Sequence, residues 1–232
     1  MEPTFAPPTV PTAPRSRRAL LGDALRRPGG RRAVSVLSLV LLVAGLAMFA
    51  YPVGTDLYSH VQQGQLRGSF GDPSVRDAYR QRKVAVGQGL IRLRINKIGV
   101  DVLVVEGTTP SALRAGAGHY KGTPLPGEAG NVAIAGHRTT FGRPFNRVNE
   151  LAPGDVAEMQ TPFAVYTYRA VAPFAGHSNP WIVAPTDYGV VGQKGVDHGL
   201  TLTSCHPKGS ARQRIIVRFE LVGTRQLPAK GK

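Results

Sequence analysis

The stretch GLTLTSCHPKGSARQRIIVRFELV, residues 199–222, holds two alternating apolar runs separated by a turn that contains proline and glycine. Side chains alternate between the two faces of a β-strand, so the leucines of the first run face one side and Cys205 faces the other. In the second run the apolar face holds Ile215, Val217, Phe219 and Leu221. The pattern predicts two neighbouring strands that share a core face, with Cys205, Arg212 and Arg214 together on the opposite surface.

The rest of residues 87–222 consists of similar short runs. These runs are LIRLRI, VDVLVVEG, NVAIAGH, DVAEMQ and FAVYTYRAV, separated by segments rich in glycine, proline or asparagine. The segment TTPSALRAG predicts a short helix instead, because Thr109 can cap its first turn and Pro110 suits the first helical position. About seven short strands with one small helix favour a mainly β fold, a closed or half-closed barrel.

An uncharged apolar segment, residues 33–51, precedes this domain. As a helix that rises 1.5 Å per residue it is about 28 Å long, which is enough to cross a bilayer. A cleaved signal peptide also has a basic head and an apolar run, but here the head is 32 residues long and no small-x-small cleavage site follows. We therefore predict an uncleaved transmembrane helix.

The charges around this helix predict its orientation. The chain has 29 Lys and Arg against 14 Asp and Glu, a net charge of +15, and seven of the arginines lie in residues 1–32. This proline-rich head is expected to be disordered and, by the positive-inside rule, cytoplasmic. The remainder is then extracellular, with a stalk at 52–86, the folded domain at 87–222 and a basic tail at 223–232. We expect no nucleic acid partner at this location.

Cys205 is the single cysteine of the chain. Outside the cytoplasm paired cysteines tend to form disulfides, so a lone one is either an inert buried residue or a reactive thiol. Its predicted position away from the core favours the reactive thiol, and a neighbouring guanidinium favours a thiolate or stabilises an oxyanion. Catalysis would also need an acid or base. His206 points to the other side of the strand, whereas His137, at the end of NVAIAGH, is one candidate among the remaining histidines.

These residues carry a family resemblance. NVAIAGHRTTFGRPF, TLTSC and ARQRIIV, together with GAGHYKGTPLPGEAG, resemble the sortases, membrane-anchored cysteine transpeptidases of Gram-positive bacteria, and most of all the class E sortases of actinobacteria. The resemblance covers residues 87–222 and implies an eight-stranded sortase barrel with short helices. It implies Cys205, His137 and Arg214 as catalytic residues, with Arg212 as the fallback arginine. The implied substrate-binding residues are Ser204, Thr203, His119 and Tyr120, of which Ser204 replaces the threonine usual in the family.

The implied reaction is acyl transfer. The enzyme would cleave a C-terminal sorting signal of secreted proteins, Leu-Ala-x-Thr-Gly in class E, between Thr and Gly through a thioacyl intermediate. It would then join the protein to an amino group of a peptidoglycan precursor, without a cofactor. Some sortases bind calcium through clustered carboxylates. Here Asp187 and Asp197 are ten positions apart, without acidic neighbours, so we predict no metal site.

Two alternative functions are open. A different cysteine enzyme of the cell wall, such as an L,D-transpeptidase or a peptidoglycan peptidase, usually has its histidine near or after the cysteine, unlike the order here. A non-catalytic, membrane-tethered β-barrel could instead bind acidic wall polymers through its basic surface. In that case Cys205 would be dispensable.

Overall fold

A computed structural model describes residues 28–173, 176–192 and 197–228. Most of the predicted cytoplasmic head, residues 193–196 and the end of the basic tail lie outside these ranges. The chain divides into two compact units, residues 1–50 and residues 51–232. The second unit contains every strand of the described residues.

The described chain begins with two helices. Helix α1 (Pro28–Ser69) contains the predicted apolar segment, and among the described residues it is one helix long and apolar enough to cross a membrane. It continues beyond that segment to Ser69, and helix α2 (Pro73–Arg80) follows after a short turn. Residues 52–86, predicted to be a stalk, therefore contain the last part of α1 and all of α2.

The β domain has nine strands within the described residues. They are β1 (Gly89–Ile95), β2 (Val100–Glu106), β3 (Gly118–His119), β4 (Gly130–Gly136), β5 (Val156–Gln160), β6 (Ala164–Ala170), β7 (Trp181–Val183), β8 (His198–His206) and β9 (Gln213–Gln226). Their order is β6-β5-β1-β2-β3-β4-β8-β9, and β9 also pairs with β6, which closes an eight-stranded barrel. Strand β7 pairs with the first residues of β9, beside the barrel. The predicted helix is present as α3 (Pro110–Ala115), and the Thr109 hydroxyl accepts a hydrogen bond from the Ala112 amide.

The apolar faces predicted from the alternation fill the barrel. Leu200 and Leu202 of β8 and Val217 and Phe219 of β9 are fully buried in one continuous core. Burying such a side chain stabilises the fold by about 1.5–3 kcal/mol. The opposite face of β8 is also covered, since Thr201 is buried and donates a hydrogen bond to Asn131 of β4. This strand is therefore held on both faces, which makes it a rigid support for the residues at its end.

Candidate active site

The pairing of β4 with β8 brings His137 and Cys205 to the same edge of the barrel. The two strands are parallel, and Gly136 at the end of β4 is the register partner of Ser204. The Ser204 hydroxyl also donates a hydrogen bond to the Gly136 carbonyl at 2.8 Å. His137 and Cys205 are the next residue on each chain, and neighbouring strands lie about 4.8 Å apart. Residues 68 positions apart in the sequence therefore lie side by side.

Gly136 is required by close packing rather than by its backbone angles. A Cβ atom at this position would lie 2.5 Å from Cδ2 of Phe145, which is fully buried. Phe145 thus packs directly on the backbone that precedes His137. The absence of a side chain at 136 allows the loop after His137 to fold back against the strand.

Arg214 lies opposite Cys205 in the antiparallel pair of β8 and β9. Directly opposed residues share one face of a sheet, with Cβ atoms about 4.5–5.5 Å apart. The Arg214 guanidinium donates hydrogen bonds to the carbonyls of Ala211 and Gln213, at 2.8 and 3.0 Å. Arg212 precedes β9 and is exposed. Of the two arginines considered from the sequence, the register aligns Arg214 with the cysteine.

The environment of His137 disfavours its charged form. The side chain is half-buried, and its ring lies 5.2 Å from the ring of Phe141. Burial lowers the pKa of His137 below its ordinary value, and the positive charge of Arg114 lowers it further. The imidazole is therefore biased toward its neutral form, in which one ring nitrogen can accept a proton.

Arg138 is a component of this site that the sequence did not indicate. It is only 4% exposed, and its guanidinium donates to the carbonyls of Asn146 and Cys205 and to the Asn149 side chain at 2.9, 3.1 and 2.7 Å. Burial lowers the pKa of Arg138, while Cys205 acts in the opposite direction. Arg138 follows His137 directly, so its side chain links the end of β4 to the backbone of Cys205. The partners are up to 67 positions away, so no local pattern could reveal them.

Two of the predicted substrate-binding residues, Thr203 and Ser204, lie on β8 beside Cys205, and the other two, His119 and Tyr120, lie at the end of β3. Thr203 is buried, and its hydroxyl is 3.0 Å from the hydroxyl of the half-buried Tyr120. Ser204 is buried, and its hydroxyl donates the hydrogen bond to the Gly136 carbonyl of β4. His119 is also buried, with Nδ1 2.8 Å from the Glu106 carboxylate and Nε2 2.9 Å from the Thr123 hydroxyl. A role of these side chains in substrate binding stays a prediction.

Two of the other histidines, His198 and His206, are directed away from Cys205 by their positions on β8. His198 is at the opposite end of β8, and His177 stacks on Trp181 with ring centroids 5.7 Å apart. His206 follows Cys205 on the same strand and therefore points to the other face. Asp187, considered above as a calcium ligand, accepts a hydrogen bond from the Gly189 amide. The described ranges contain no group of three His, Cys, Asp or Glu residues that could hold a metal ion.

The chain is similar in sequence and fold to known proteins. A family model described as Sortase domain matches residues 93–222. The chain belongs to the sortase family. Sortase SrtE1 of Streptomyces coelicolor is 32% identical, over 96% of this chain and 67% of its own. Sortase SrtE2 of the same organism is 31% identical, over 89% of this chain and 89% of its own.

Solved sortases have the same fold. SrtF from Corynebacterium diphtheriae matches 64% of this chain and 92% of its own, with 28% identity and a TM-score of 0.58. The crystal structure of SrtE1 from S. coelicolor, with a tripeptide in the active site, matches 60% of this chain and 91% of its own, with 32% identity and a TM-score of 0.54. The predictions of an eight-stranded sortase barrel and of a class E-like sortase are confirmed. This sortase is a cysteine transpeptidase.

Proposed function

We propose that this sortase cleaves a C-terminal Leu-Ala-x-Thr-Gly signal between Thr and Gly, with Cys205, His137 and Arg214 as its catalytic residues. The observation that carries the proposal is the strand register. Parallel pairing of β4 with β8 sets His137 beside Cys205, and antiparallel pairing of β8 with β9 sets Arg214 opposite it. A nucleophile, an acid-base group and a cation therefore converge at one edge of the barrel, as acyl transfer requires.

The first step forms a thioester. The Cys205 thiolate attacks the threonine carbonyl carbon, and a C–S bond forms while negative charge develops on the carbonyl oxygen. Protonated His137 donates its proton to the departing glycine nitrogen as the C–N bond breaks. Arg214 shares a face with Cys205, and its long side chain can turn from the carbonyls of the adjacent turn to stabilise the oxyanion.

The second step transfers the acyl group to an amine. An amino group of a peptidoglycan precursor attacks the thioester carbonyl, the C–S bond breaks, and a new amide links the substrate protein to the wall. Neutral His137 accepts the proton released by the attacking amine. The bias of His137 toward its neutral form supports this step and limits the first, in which the proton must be present.

The sequence and the family support further proposals on substrate binding and location. We infer that Tyr120, Thr203, Ser204 and His119 contribute to the binding of the signal, and the Tyr120–Thr203 contact on the strand of Cys205 supports this role. The apolar part of α1 anchors the enzyme in the cell membrane. Seven arginines before it favour a cytoplasmic N-terminus and an extracellular barrel.

The test uses the full chain in detergent with a Leu-Ala-x-Thr-Gly peptide and triglycine as the amine. Mass spectrometry should detect cleavage after threonine and a product joined to triglycine. Cys205→Ala and His137→Ala should abolish both products, and Arg214→Ala should lower the rate about 100-fold or more, the cost of removing an oxyanion donor. Arg212→Ala is the matched control and should retain activity. Turnover that survives in Cys205→Ala would contradict the mechanism, and binding of acidic wall polymer without turnover would favour the non-catalytic alternative.

A further inference from the structure

The C-terminal segment of α1, residues 51–69, contacts the barrel through polar side chains. Asp56, Ser59, Gln63 and Arg67 recur every three or four residues and therefore lie on one face of the helix. The Gln63 side chain accepts a hydrogen bond from the Leu103 amide at 2.7 Å and donates to the carbonyls of Leu103 and Ala115. Arg67 donates to the Asp101 carbonyl at 2.8 Å. The segment is thus attached to the barrel and is not a free spacer.

The N-terminal end of this polar face contacts the loop that follows His137. The Asp56 carboxylate accepts a hydrogen bond from the Gly142 amide at 3.0 Å and forms an ion pair with Arg143 at 2.9 Å. The Tyr58 ring meets the Phe141 ring edge-on, with centroids 6.4 Å apart. Three consecutive loop residues are therefore held by two side chains of the helix.

The conformation of this loop needs external support. Phe141, Gly142 and Arg143 all have positive φ angles, of 52°, 71° and 38°. For a non-glycine residue this region costs about 1–2 kcal/mol. The helix also approaches closely, because a Cβ atom on Gly142 would lie 2.8 Å from the buried Ser59 hydroxyl. Contacts from Asp56 and Tyr58 offset the backbone cost and fix the loop in this conformation.

The loop in turn contacts the proposed acid-base residue. The Phe141 ring lies 5.2 Å from the His137 imidazole, tilted by 40°. We propose that Asp56 and Tyr58 are positioning residues of this sortase, which orient His137 through the loop of residues 141–143. The proposal rests on the acid-base role of His137 proposed above. It makes the C-terminal segment of α1 part of the catalytic apparatus, through its contacts with residues 141–143.

The experiment compares Asp56→Ala, Asp56→Asn and Tyr58→Leu with wild type in the full chain, using the peptide and triglycine assay. Asp56→Ala should lower kcat about tenfold, which corresponds to about 1.4 kcal/mol in activation free energy, with little change in KM. Asp56→Asn keeps an acceptor for the Gly142 amide and should recover part of the loss. Tyr58→Leu should also lower kcat, whereas Tyr58→Phe keeps the ring contact and should retain activity.

Two further readouts separate positioning from general damage. In histidine-labelled protein, Asp56→Ala should shift the NMR signals of the His137 ring and leave those of His119 and His198 in place. The alkylation rate of Cys205 by iodoacetamide should stay within twofold of wild type. Gln65→Ala, on the exposed side of the same helix segment, is the matched control and should change none of these quantities.

The outcomes distinguish this inference from the proposed function. If His137→Ala abolishes turnover but Asp56→Ala leaves kcat and the His137 signals unchanged, the positioning role is wrong and the proposed function stands. If His137→Ala retains turnover, the acid-base role itself is wrong. An unfolded Asp56→Ala would leave Asp56→Asn and Tyr58→Leu to decide, and unchanged kcat in both folded variants would overturn the proposal.

Discussion

At the scale of single residues, the proton affinity of His137 is set by burial and by one neighbouring charge. Arg114 acts on it electrostatically and also lies over the Phe141 ring, 5.9 Å from its centroid. Removing this positive charge should raise the pKa of His137 toward its ordinary value, because the imidazolium form is then less disfavoured. The pH range in which His137 can donate a proton would extend upward.

NMR titration of the His137 ring checks this prediction. Wild type should titrate below the ordinary histidine pKa of 6.5, and Arg114→Gln should titrate at higher pH. Because the folded-state pKa is lowered, the contribution of His137 to stability is constant above about pH 6.5 and becomes unfavourable as the pH falls below it. Arg169→Gln removes an exposed charge on β6 and serves as the control. Identical titration of Arg114→Gln and wild type would contradict the assigned cause.

Arg138 is the second residue whose contribution can be measured. Arg138→Met would remove three hydrogen bonds and leave the carbonyl of Cys205 without this donor. Loss of hydrogen bonds from a charged donor at a buried site should lower the free energy of unfolding by about 2–4 kcal/mol. Urea denaturation measures the change, and Arg212→Met, in the exposed turn, should stay within about 0.5 kcal/mol of wild type. Equal effects of the two substitutions would show that Arg138 does not hold the site together.

At the scale of elements, the position of His137 is coupled to the packing of Phe145 on the end of β4. Gly136→Ala would bring a methyl group against the Phe145 ring, which is enclosed by the core. Overpacking of this kind costs about 1–3 kcal/mol, and the shift it forces is adjacent to His137. We expect both a lower free energy of unfolding and a lower kcat.

Denaturation and peptide turnover of Gly136→Ala test the packing argument. Gly68→Ala is the matched control. Gly68 lies in helix α1, and a Cβ atom at this position would meet no atom within 4 Å. Alanine has the higher helix propensity, so this control should be neutral or slightly stabilising. If Gly136→Ala behaved in the same way, Phe145 would have room to move and Gly136 would not define the loop after His137.

At the scale of the whole molecule, the barrel and the end of α1 belong to one compact unit, residues 51–232. Leu66 of the helix packs against a small buried cluster formed by Val105, Ala112 and Ala115. These contacts add to the hydrogen bonds of Asp56 and Gln63, each of which contributes about 1 kcal/mol. The helix segment should therefore stabilise the barrel as well as connect it to the apolar part of α1.

Thermal unfolding of chains that begin at residues 51 and 73 measures this contribution. The shorter chain lacks the helix segment and should unfold at least about 5 °C lower, since about 1 kcal/mol corresponds to 2–4 °C in a domain of this size. The chain that begins at residue 51 and carries Gln63→Ala should have a melting temperature between those of the two chains. Equal melting temperatures for the two chains would mean that the contacts of α1 contribute nothing to the stability of the barrel.

Much of the fold and part of the site could be predicted from local pattern. Alternation predicted the strands that carry the core and the face on which Cys205 lies, and Thr109 predicted the start of α3. Two strands were missed, because β3 and β7 have two and three residues and cannot show a period. Residues 52–69 were predicted to be part of a stalk because the helix face that contacts the barrel is polar. The sequence cannot distinguish a polar face that binds backbone groups from one that faces water.

The sequence by itself determined that the chain forms a β-barrel after an apolar helix, and that its single cysteine lies at the end of a strand. These properties depend on neighbouring residues, through side-chain alternation, capping and hydropathy. Only the tertiary structure decided that His137 lies beside Cys205 and that Arg214 rather than Arg212 opposes it. It also decided that Arg138 contacts the Cys205 backbone and that Asp56 contacts the loop after His137. Each of these depends on the register of strands or on contacts across tens of residues, which barrel closure and packing determine.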